Sequence, residues 1–296
     1  MQVRKDAVMN ETFHFGDLSV DRILDIEELW FPATHLFDVA TREIMAPLSD
    51  RLPVGSYDAA SGLMRQAFAS YLVRGSGVSI LVDAGVGCGK ERDLEAWDHR
   101  DDDTFLRALA QLGCEPDDVD FVIATHVHAD HVGWNTRLAD GLWTPTFPRA
   151  RYLIAGAEID PLREAFVLDR RICRGAFVDS VAPLLDAGVV DSFENGAMVT
   201  DGVVLSVRPG HTPGTTVVCL ESGDARAFLA GDVIHHEVQL IRPAWSSNFC
   251  SDPVASANVR RALLTEVAHT ESLLMPAHFP PCRLRPRHNE FELLPP

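Results

Sequence analysis

Between Thr125 and Gly133 the chain reads Thr-His-Val-His-Ala-Asp-His-Val-Gly, so four potential metal donors fall within six positions: His126, His128, Asp130 and His131. Imidazole nitrogen and carboxylate oxygen are ordinary donors to zinc and its neighbours. Left unpaired beside a buried strand, four such groups would be costly to desolvate, and a divalent ion removes that cost. The motif follows FVIATH (121–126), a short apolar, β-rich run, so it starts where a strand ends and a loop can aim several side chains at one spot. Three later donors sit in the same kind of place. His211 stands in Pro209-Gly210-His211-Thr212-Pro213-Gly214 after an apolar run, Asp232 closes Leu229-Ala230-Gly231-Asp232, and His278 stands in Pro276-Ala277-His278-Phe279. Each alone is a weak signal, because a histidine after a strand is more often structural and a Gly-Asp pair is usually a turn. Together, in order and each at a strand end, they are a strong signal.

The elements that must carry these residues can be read from apolar spacing. Strands are expected at 17–27, at 71–83 as two runs around a Gly-Ser-Gly turn, at 121–126 and at 151–155. A further run of strands is expected at 189–193, 203–209, 215–222 and 227–231, with a last short strand in 272–280. The spacing predicts helices at 103–113, over most of 156–185, and at 253–268, where Pro253 opens the first turn. Residues 29–37 are aromatic and broken by Pro32, and read as a loop. Strands come in runs, separated by helices without regular alternation. That favours two packed sheets with helices outside over a doubly wound parallel sheet.

Composition narrows the partners. The net charge is −17, from 43 acidic and 26 basic residues, a field that repels phosphate backbones and anionic lipid. Nucleic acid and membrane are therefore not expected, and small neutral or cationic substrates are. The opening residues lack the apolar run of an export signal, and no stretch approaches the roughly 18–20 apolar residues of a membrane span. The six cysteines are scattered without a CxxC pair, so reduced thiols in a cytoplasmic protein are expected rather than a disulfide framework. The 296 residues, 46% of them hydrophobic, are ample for a large core and read as a single domain, 1–296.

The cluster His126, His128, Asp130, His131 resembles the HxHxDH signature of the metallo-β-lactamase superfamily, and the resemblance runs from about Asp83 to His278. It implies a mixed α/β (α+β) fold, a four-layer αβ/βα sandwich with metals at one edge. It also implies a division of labour. His126, His128 and His211 would hold a first zinc, Asp130, His131 and His278 a second, and Asp232 would bridge them. Asp83, in Leu81-Val82-Asp83-Ala84-Gly85, is similar to a carboxylate that orients a ligating histidine. The implied cofactor is two Zn2+, and the same donors could hold iron, manganese or cobalt. Between two zinc ions a hydroxide exists at neutral pH and can attack a carbonyl or phosphoryl centre, with Asp130 available to relay a proton. No GxSxG elbow suggests a serine nucleophile instead.

Within the superfamily, HVHADHVGWNT (126–136), Trp143-Thr144-Pro145 and Phe147-Pro148 most resemble the branch of N-acyl-homoserine lactonases and methyl-parathion-type hydrolases. That branch implies opening of a lactone or cleavage of an ester of a small neutral substrate, with N-acyl-homoserine lactones, and hence quorum quenching, as one case. Organophosphate triester hydrolysis and an iron-loaded redox enzyme on the same fold are the alternatives. Zinc is preferred over iron because no flavin domain or rubredoxin-like cysteine set accompanies the site. Asp232 argues against a true β-lactamase. Arg283, Arg285 and Arg287 are a thin substitute for the basic cluster a glutathione-thioester hydrolase would want, and read as surface. Many lactonases of the branch carry tyrosine three residues after the bridging aspartate; here that position is His235, which could donate to a developing oxyanion or simply pack. The branch further implies a homodimer. Residues 1–40, an N-terminal strand and the aromatic loop, are expected to cover the site or pack in the core.

Overall fold

The structure, a computed structural model, describes residues 11–169 and 172–296. Residues 1–10, part of the stretch read as lacking an export signal, and residues 170 and 171, within the expected helical region, lie outside the described residues.

Strands β1 (Thr12–Phe15), β2 (Leu18–Pro32), β3 (Tyr57–Asp58), β4 (Leu63–Gly75), β5 (Val78–Val82) and β6 (Phe121–Ile123) build most of a first sheet. Strands β7 (Thr136–Ala139) and β8 (Leu142–Pro145) form a hairpin of their own. The chain then returns through β9 (Arg151–Ala155) and β10 (Val190–Phe193), giving the order β1-β2-β4-β5-β6-β9-β10 with β3 on β4. A second sheet runs in chain order through β11 (Ala197–Thr200), β12 (Val203–Val207), β13 (Thr216–Ser222), β14 (Ala225–Gly231) and β15 (Leu273–Pro276). Strands β16 (Arg283–Arg287) and β17 (Glu290–Leu294) close the chain as a hairpin. The helices are α1 (Ala33–Leu36), α2 (Arg42–Ser49), α3 (Thr104–Gln111), α4 (Gly156–Leu168), α5 (Ala176–Ser180), α6 (Ala182–Asp186), α7 (Val238–Ile241) and α8 (Pro253–His269).

Alternation along the strands decides the layering, because successive side chains leave opposite faces. Ile80 and Val82 point into a core shared with Leu205, Val218, Leu229 and Met275 of the second sheet, while Leu81 between them packs with Leu72, Val122 and, on α3, Phe105 and Leu109. On the second sheet Ala227 and Leu229 face the shared core, and Phe228 and Ala230 face Leu263, Leu264 and Val267 of α8. Two sheets face to face with helices on both outer sides make the expected αβ/βα sandwich. Being covered on both faces, these strands read as continuous apolar runs.

Three expectations need correction. Residues 29–37 are not a loop. Leu29–Pro32 continue β2, pairing in register with Leu63–Gln66 of β4, and α1 follows at once. Pro32 sits at the strand end, where its missing N–H interrupts no ladder. The strand in 272–280 is not the last; the β16–β17 hairpin follows it. Its alternation is masked by charge, since Arg283, Arg285 and Arg287 project outward around the buried Leu284, and Arg285 pairs with Glu292 at 2.7 Å. Finally, β1 was not anticipated; it folds back on β2 through Gly16, in the left-handed region (φ 55°). Among the described residues no helix is long and apolar enough to cross a membrane, and the six cysteines are free.

Candidate metal centre

All seven expected donors meet at the edge where both sheets end. The loop after β6 supplies His126, His128, Asp130 and His131; the second sheet supplies His211 after β12, Asp232 after β14 and His278 after β15. Two glycines let the segments approach. A Cβ on Gly133 would stand 1.9 Å from the Val86 carbonyl oxygen. One on Gly231, itself at φ +45°, would stand 2.7 Å from Thr125 Oγ1, so glycine there brings Asp232 up beside His126.

The donors fall into two groups. His126, His128, His211 and Asp232 form one; Asp130, His131 and His278 form the other. Asp232 stands between them with one oxygen turned to each. Its Oδ2 lies 3.3 Å from His211 Nε2 and 3.7 Å from His126 Nε2. Its Oδ1 lies 2.9 Å from His278 Nε2 and 3.1 Å from His131 Nε2. Asp130 Oδ2 completes the second group, 3.5 Å from His131 Nε2 and 3.8 Å from His278 Nε2.

A metal suits this arrangement on two counts. His211 Nε2 lies 3.2 Å from His126 Nε2 and 3.0 Å from His128 Nδ1. A neutral His211 carries at most one hydrogen on Nε2, so that atom cannot bond both neighbours well, whereas nitrogens bound at 2.0–2.1 Å to a tetrahedral ion are about 3.4 Å apart. In addition, His131 Nε2 is buried and makes no hydrogen bond, although Asp232 Oδ1 is close. A buried polar atom without a partner demands an explanation, and a cation in front of it is one.

The electrostatics agree. Burial, with added repulsion from His131 and His128, holds the His126 imidazole well below its ordinary pKa. Burial does the same to His211, reinforced by His128. Both are thus neutral and carry free lone pairs. Burial pushes the Asp232 carboxyl upward, but His131, His278 and His235 together outweigh it and hold the group well below the usual carboxylate range. Burial likewise works to lower His131, yet Asp232, Asp130 and Asp83 together raise it well above normal. The second group therefore attracts positive charge even as a set of bare side chains.

Outer partners fix the rings. His131 Nδ1 lies 2.8 Å from Asp83 Oδ2, and Asp83 also accepts from the Thr125 N–H (2.8 Å) and hydroxyl (2.9 Å). His278 Nδ1 donates to the Ala67 carbonyl at 2.9 Å, which turns Nε2 inward. His211 Nδ1 faces Cys250 Sγ at 3.6 Å. Such partners set tautomer and orientation. His235 is buried against Asp232 Oδ2 (3.2 Å) and Ser247 Oγ (3.2 Å), with Nδ1 free of any hydrogen bond. Burial lowers its pKa, leaving a neutral ring with one N–H.

Sequence reasoning missed Glu158 and Cys250. Glu158, buried in the first turn of α4, accepts from the Val127 N–H at 2.9 Å and the Gly214 N–H at 2.8 Å, tying together the two loops that carry His126, His128 and His211. Nothing local marks it, since an acidic residue in a first helical turn is ordinary. Beside the donors opens a cavity of about 260 Å³ walled by Phe31, Leu36, Phe68, Leu94, Trp97 and Phe249, with Asp130, His235 and His278 at its floor. The aromatic segment thus reaches the cavity through Phe31, His35 and Leu36, while Trp30 does not line it.

Comparison with known proteins places this centre. The model of the metallo-beta-lactamase superfamily matches residues 69–278, a stretch that takes in every one of the donors. An N-acyl homoserine lactonase of Bacillus sp is 28% identical over 123 residues, 41% of each chain. The N-acyl homoserine lactonase AiiA of Bacillus thuringiensis subsp. kurstaki is 26% identical over 130 residues, 44% of each chain. The match therefore spans only about two fifths of the length of these relatives. Among solved structures, hydrolase AbOPH of the beta lactamase superfamily superposes with a TM-score of 0.79 at 20% identity, covering 99% of both chains. AidC, a dizinc quorum-quenching lactonase in complex with a product, superposes with a TM-score of 0.77 at 18% identity, covering 97% of both. At these identities the superpositions speak for the fold alone. The family match, carried over most of the chain and through the whole donor set, makes this protein a member of the metallo-β-lactamase superfamily.

Proposed function

We propose that the chain is a metal-dependent hydrolase that opens a lactone or cleaves an ester of a small acyl compound. His126, His128 and His211 would hold one divalent cation, Asp130, His131 and His278 a second, with Asp232 placed between the two groups; zinc is the first choice of metal. The observation that carries this reading is the position of Asp232, one oxygen on each donor group, at the floor of an apolar cavity. Bound there, the two cations supply Lewis acidity to the oxygen under attack and make water acidic enough to ionise near neutral pH.

The rest falls to side chains of this chain. Phe31, Leu36, Phe68, Leu94, Trp97 and Phe249 exclude water and take up an apolar acyl portion. His235, a neutral ring, turns its Nε2 to Asp232 Oδ2 and Ser247 Oγ, each at 3.2 Å, and so orients the carboxylate between the two donor groups. Asp130 stays ionised, since His131 and His278 outweigh the upward push of burial, and can accept a proton and pass it to the leaving alkoxide. Relatives named as N-acyl homoserine lactonases support the lactone part of the reading. The test is a hydrolysis screen of the zinc-loaded protein across homoserine lactones, aryl esters and phosphotriesters, with His128→Ala alongside. Turnover of a lactone or ester that the variant lacks is expected. Equal behaviour of the two proteins on every compound would overturn the proposal.

A further inference from the structure

Among the described residues the cavity has one arginine or lysine on its wall, Arg174, and no ion pair holds it. Arg174 lines the cavity together with Phe31, His35, Leu36 and Phe249. The contact its guanidinium makes is with the face of Phe249, 5.6 Å from the ring centroid. Phe249 in turn meets His35 edge-on at 5.4 Å, and His35 stacks on Phe31 at 5.5 Å. These four side chains form one continuous wall with Arg174 at one end. The acid nearest in sequence on the following helix, Asp179, is already taken: Arg92 holds it at 2.6 and 2.9 Å, and Lys90 lies 3.4 Å away. Among the described residues Arg174 has no ion-pair partner, in a chain whose net charge is −17. His35 beside it is held neutral by burial and by Arg174 itself, so it does not share the charge.

A guanidinium stripped of a carboxylate partner and set on an aromatic wall is a ready anchor for an anion, because its planar donors match carboxylate and sulfonate oxygens. We infer that Arg174 selects substrates whose acyl portion ends in an anionic group, carried along the Phe31–His35–Phe249 wall while the scissile carbonyl lies over Asp232. The inference rests on the hydrolase reading and refines its substrate class. It also departs from the neutral substrate that the overall charge suggests: the field of the whole surface repels anions, but the local partner at the end of the cavity is positive. Arg174 acts here as a specificity residue, holding the tail and not the reacting atoms.

The experiment separates this inference from the hydrolase reading by measuring binding before turnover. Hexane-1-sulfonate and hexan-1-ol are titrated calorimetrically into the zinc-loaded wild type, Arg174→Gln and Arg174→Lys, each first shown to keep its metal content and melting temperature. The sulfonate is expected to bind wild type about tenfold or more tighter than Arg174→Gln, the worth of one charge-assisted contact. Arg174→Lys should recover part of the difference, and hexanol should bind all three alike. Equal sulfonate affinity in wild type and Arg174→Gln, as when the metals alone take the anion, overturns the inference. So does a loss that falls equally on sulfonate and alcohol. In a second arm, 4-nitrophenyl hydrogen adipate is compared with 4-nitrophenyl hexanoate; wild type should prefer the adipate in kcat/KM, and Arg174→Gln should lose that preference while still cleaving the hexanoate. Absence of turnover of either ester with the sulfonate difference intact counts against the hydrolase reading and leaves the anion site standing.

Discussion

Asp83 Oδ2 lies 2.8 Å from Nδ1 of His131, and the same carboxylate accepts two hydrogen bonds from Thr125, so one acid aligns a donor and pins the strand end that carries the rest. Asp83 sits in the left-handed backbone region at φ 59°. Asparagine tolerates that conformation and alanine does not, so Asp83→Asn isolates the electrostatic role. The amide cannot receive the imidazole N–H and both Thr125 donors at once. Metal affinity of the group containing His131 is expected to fall about 10- to 100-fold with the fold retained. Competition against a chromophoric chelator reads the affinity, and unaltered circular dichroism checks the fold.

Glu158 ties the loop of His126 and His128 to the loop of His211 through the Val127 and Gly214 N–H groups. Glu158→Ala leaves two buried donors without a partner. Each hydrogen bond to a charged acceptor is worth about 1.5–3 kcal/mol, so a loss of roughly 3 kcal/mol or more is expected in urea denaturation. Binding at the three-histidine group should weaken more than at the group of Asp130, His131 and His278, because Val127 stands between His126 and His128 and Gly214 follows His211, whereas the loop of His278 has no contact with Glu158 in these bonds. Uniform weakening at both would remove the tie as the cause.

What the sequence disclosed and what it withheld divide along a physical line. His126 was readable because a cluster of donors at a strand end is a local pattern; His211, Asp232 and His278 were readable through the resemblance of their short turns to those of the superfamily. The layering was readable because strands covered on both faces leave unbroken runs such as Ala227–Ala230. Glu158 and Cys250 were not readable, since the site loops they reach, at Val127 and His211, lie 31 and 39 residues away and no spacing rule connects them. The strand character of Leu29–Pro32 was hidden because proline signals a break unless the residue's place in the sheet is known. Arg174 was equally silent: an arginine reads as surface until the cavity it borders is seen.

Lys90 gives the fold a pH dependence with a definite sign. Burial drives its pKa down to about 7, only partly offset by Asp179. Its Nζ is held by Thr136 Oγ1 at 2.8 Å and lies 3.8 Å from the centroid of the Trp143 ring. A lysine whose folded pKa is depressed binds fewer protons when folded, so stability rises with pH wherever the unfolded chain is still protonated. Below about pH 7 the penalty is full; it is relieved as pH climbs toward the unfolded value near 10.4. Cys173 and Cys282, pushed up to about 12 by burial, act in the opposite sense once unfolded thiols ionise. The clean window is therefore about pH 7 to 8.5. Chemical denaturation across it should show a rising stability in wild type and a flatter profile in Lys90→Met, the difference between the two cancelling the pH dependence of metal binding. Parallel profiles would mean that Lys90 keeps its ordinary pKa.

Trp30 and Phe31 are neighbours on β2, and strand geometry sends them to opposite faces, so one of them can line the cavity and the other cannot. Phe31 does, stacked on His35. Phe31→Ala removes apolar surface from the acyl wall, worth about 1–2 kcal/mol of substrate contact. It is expected to lower kcat/KM for apolar acyl esters roughly 5- to 30-fold, mostly through KM, because the wall grips the acyl chain equally in the ground and transition states. Trp30→Ala should leave both constants within about twofold, well inside the range for a surface change without a named mechanism. The pair is a stringent check on the register of β2 against β4, in which Phe31 pairs with Met64 and Trp30 with Arg65. A one-residue slip would exchange the two faces. A large effect at Trp30 with none at Phe31 would therefore contradict the register and, with it, the acyl wall assigned to this cavity.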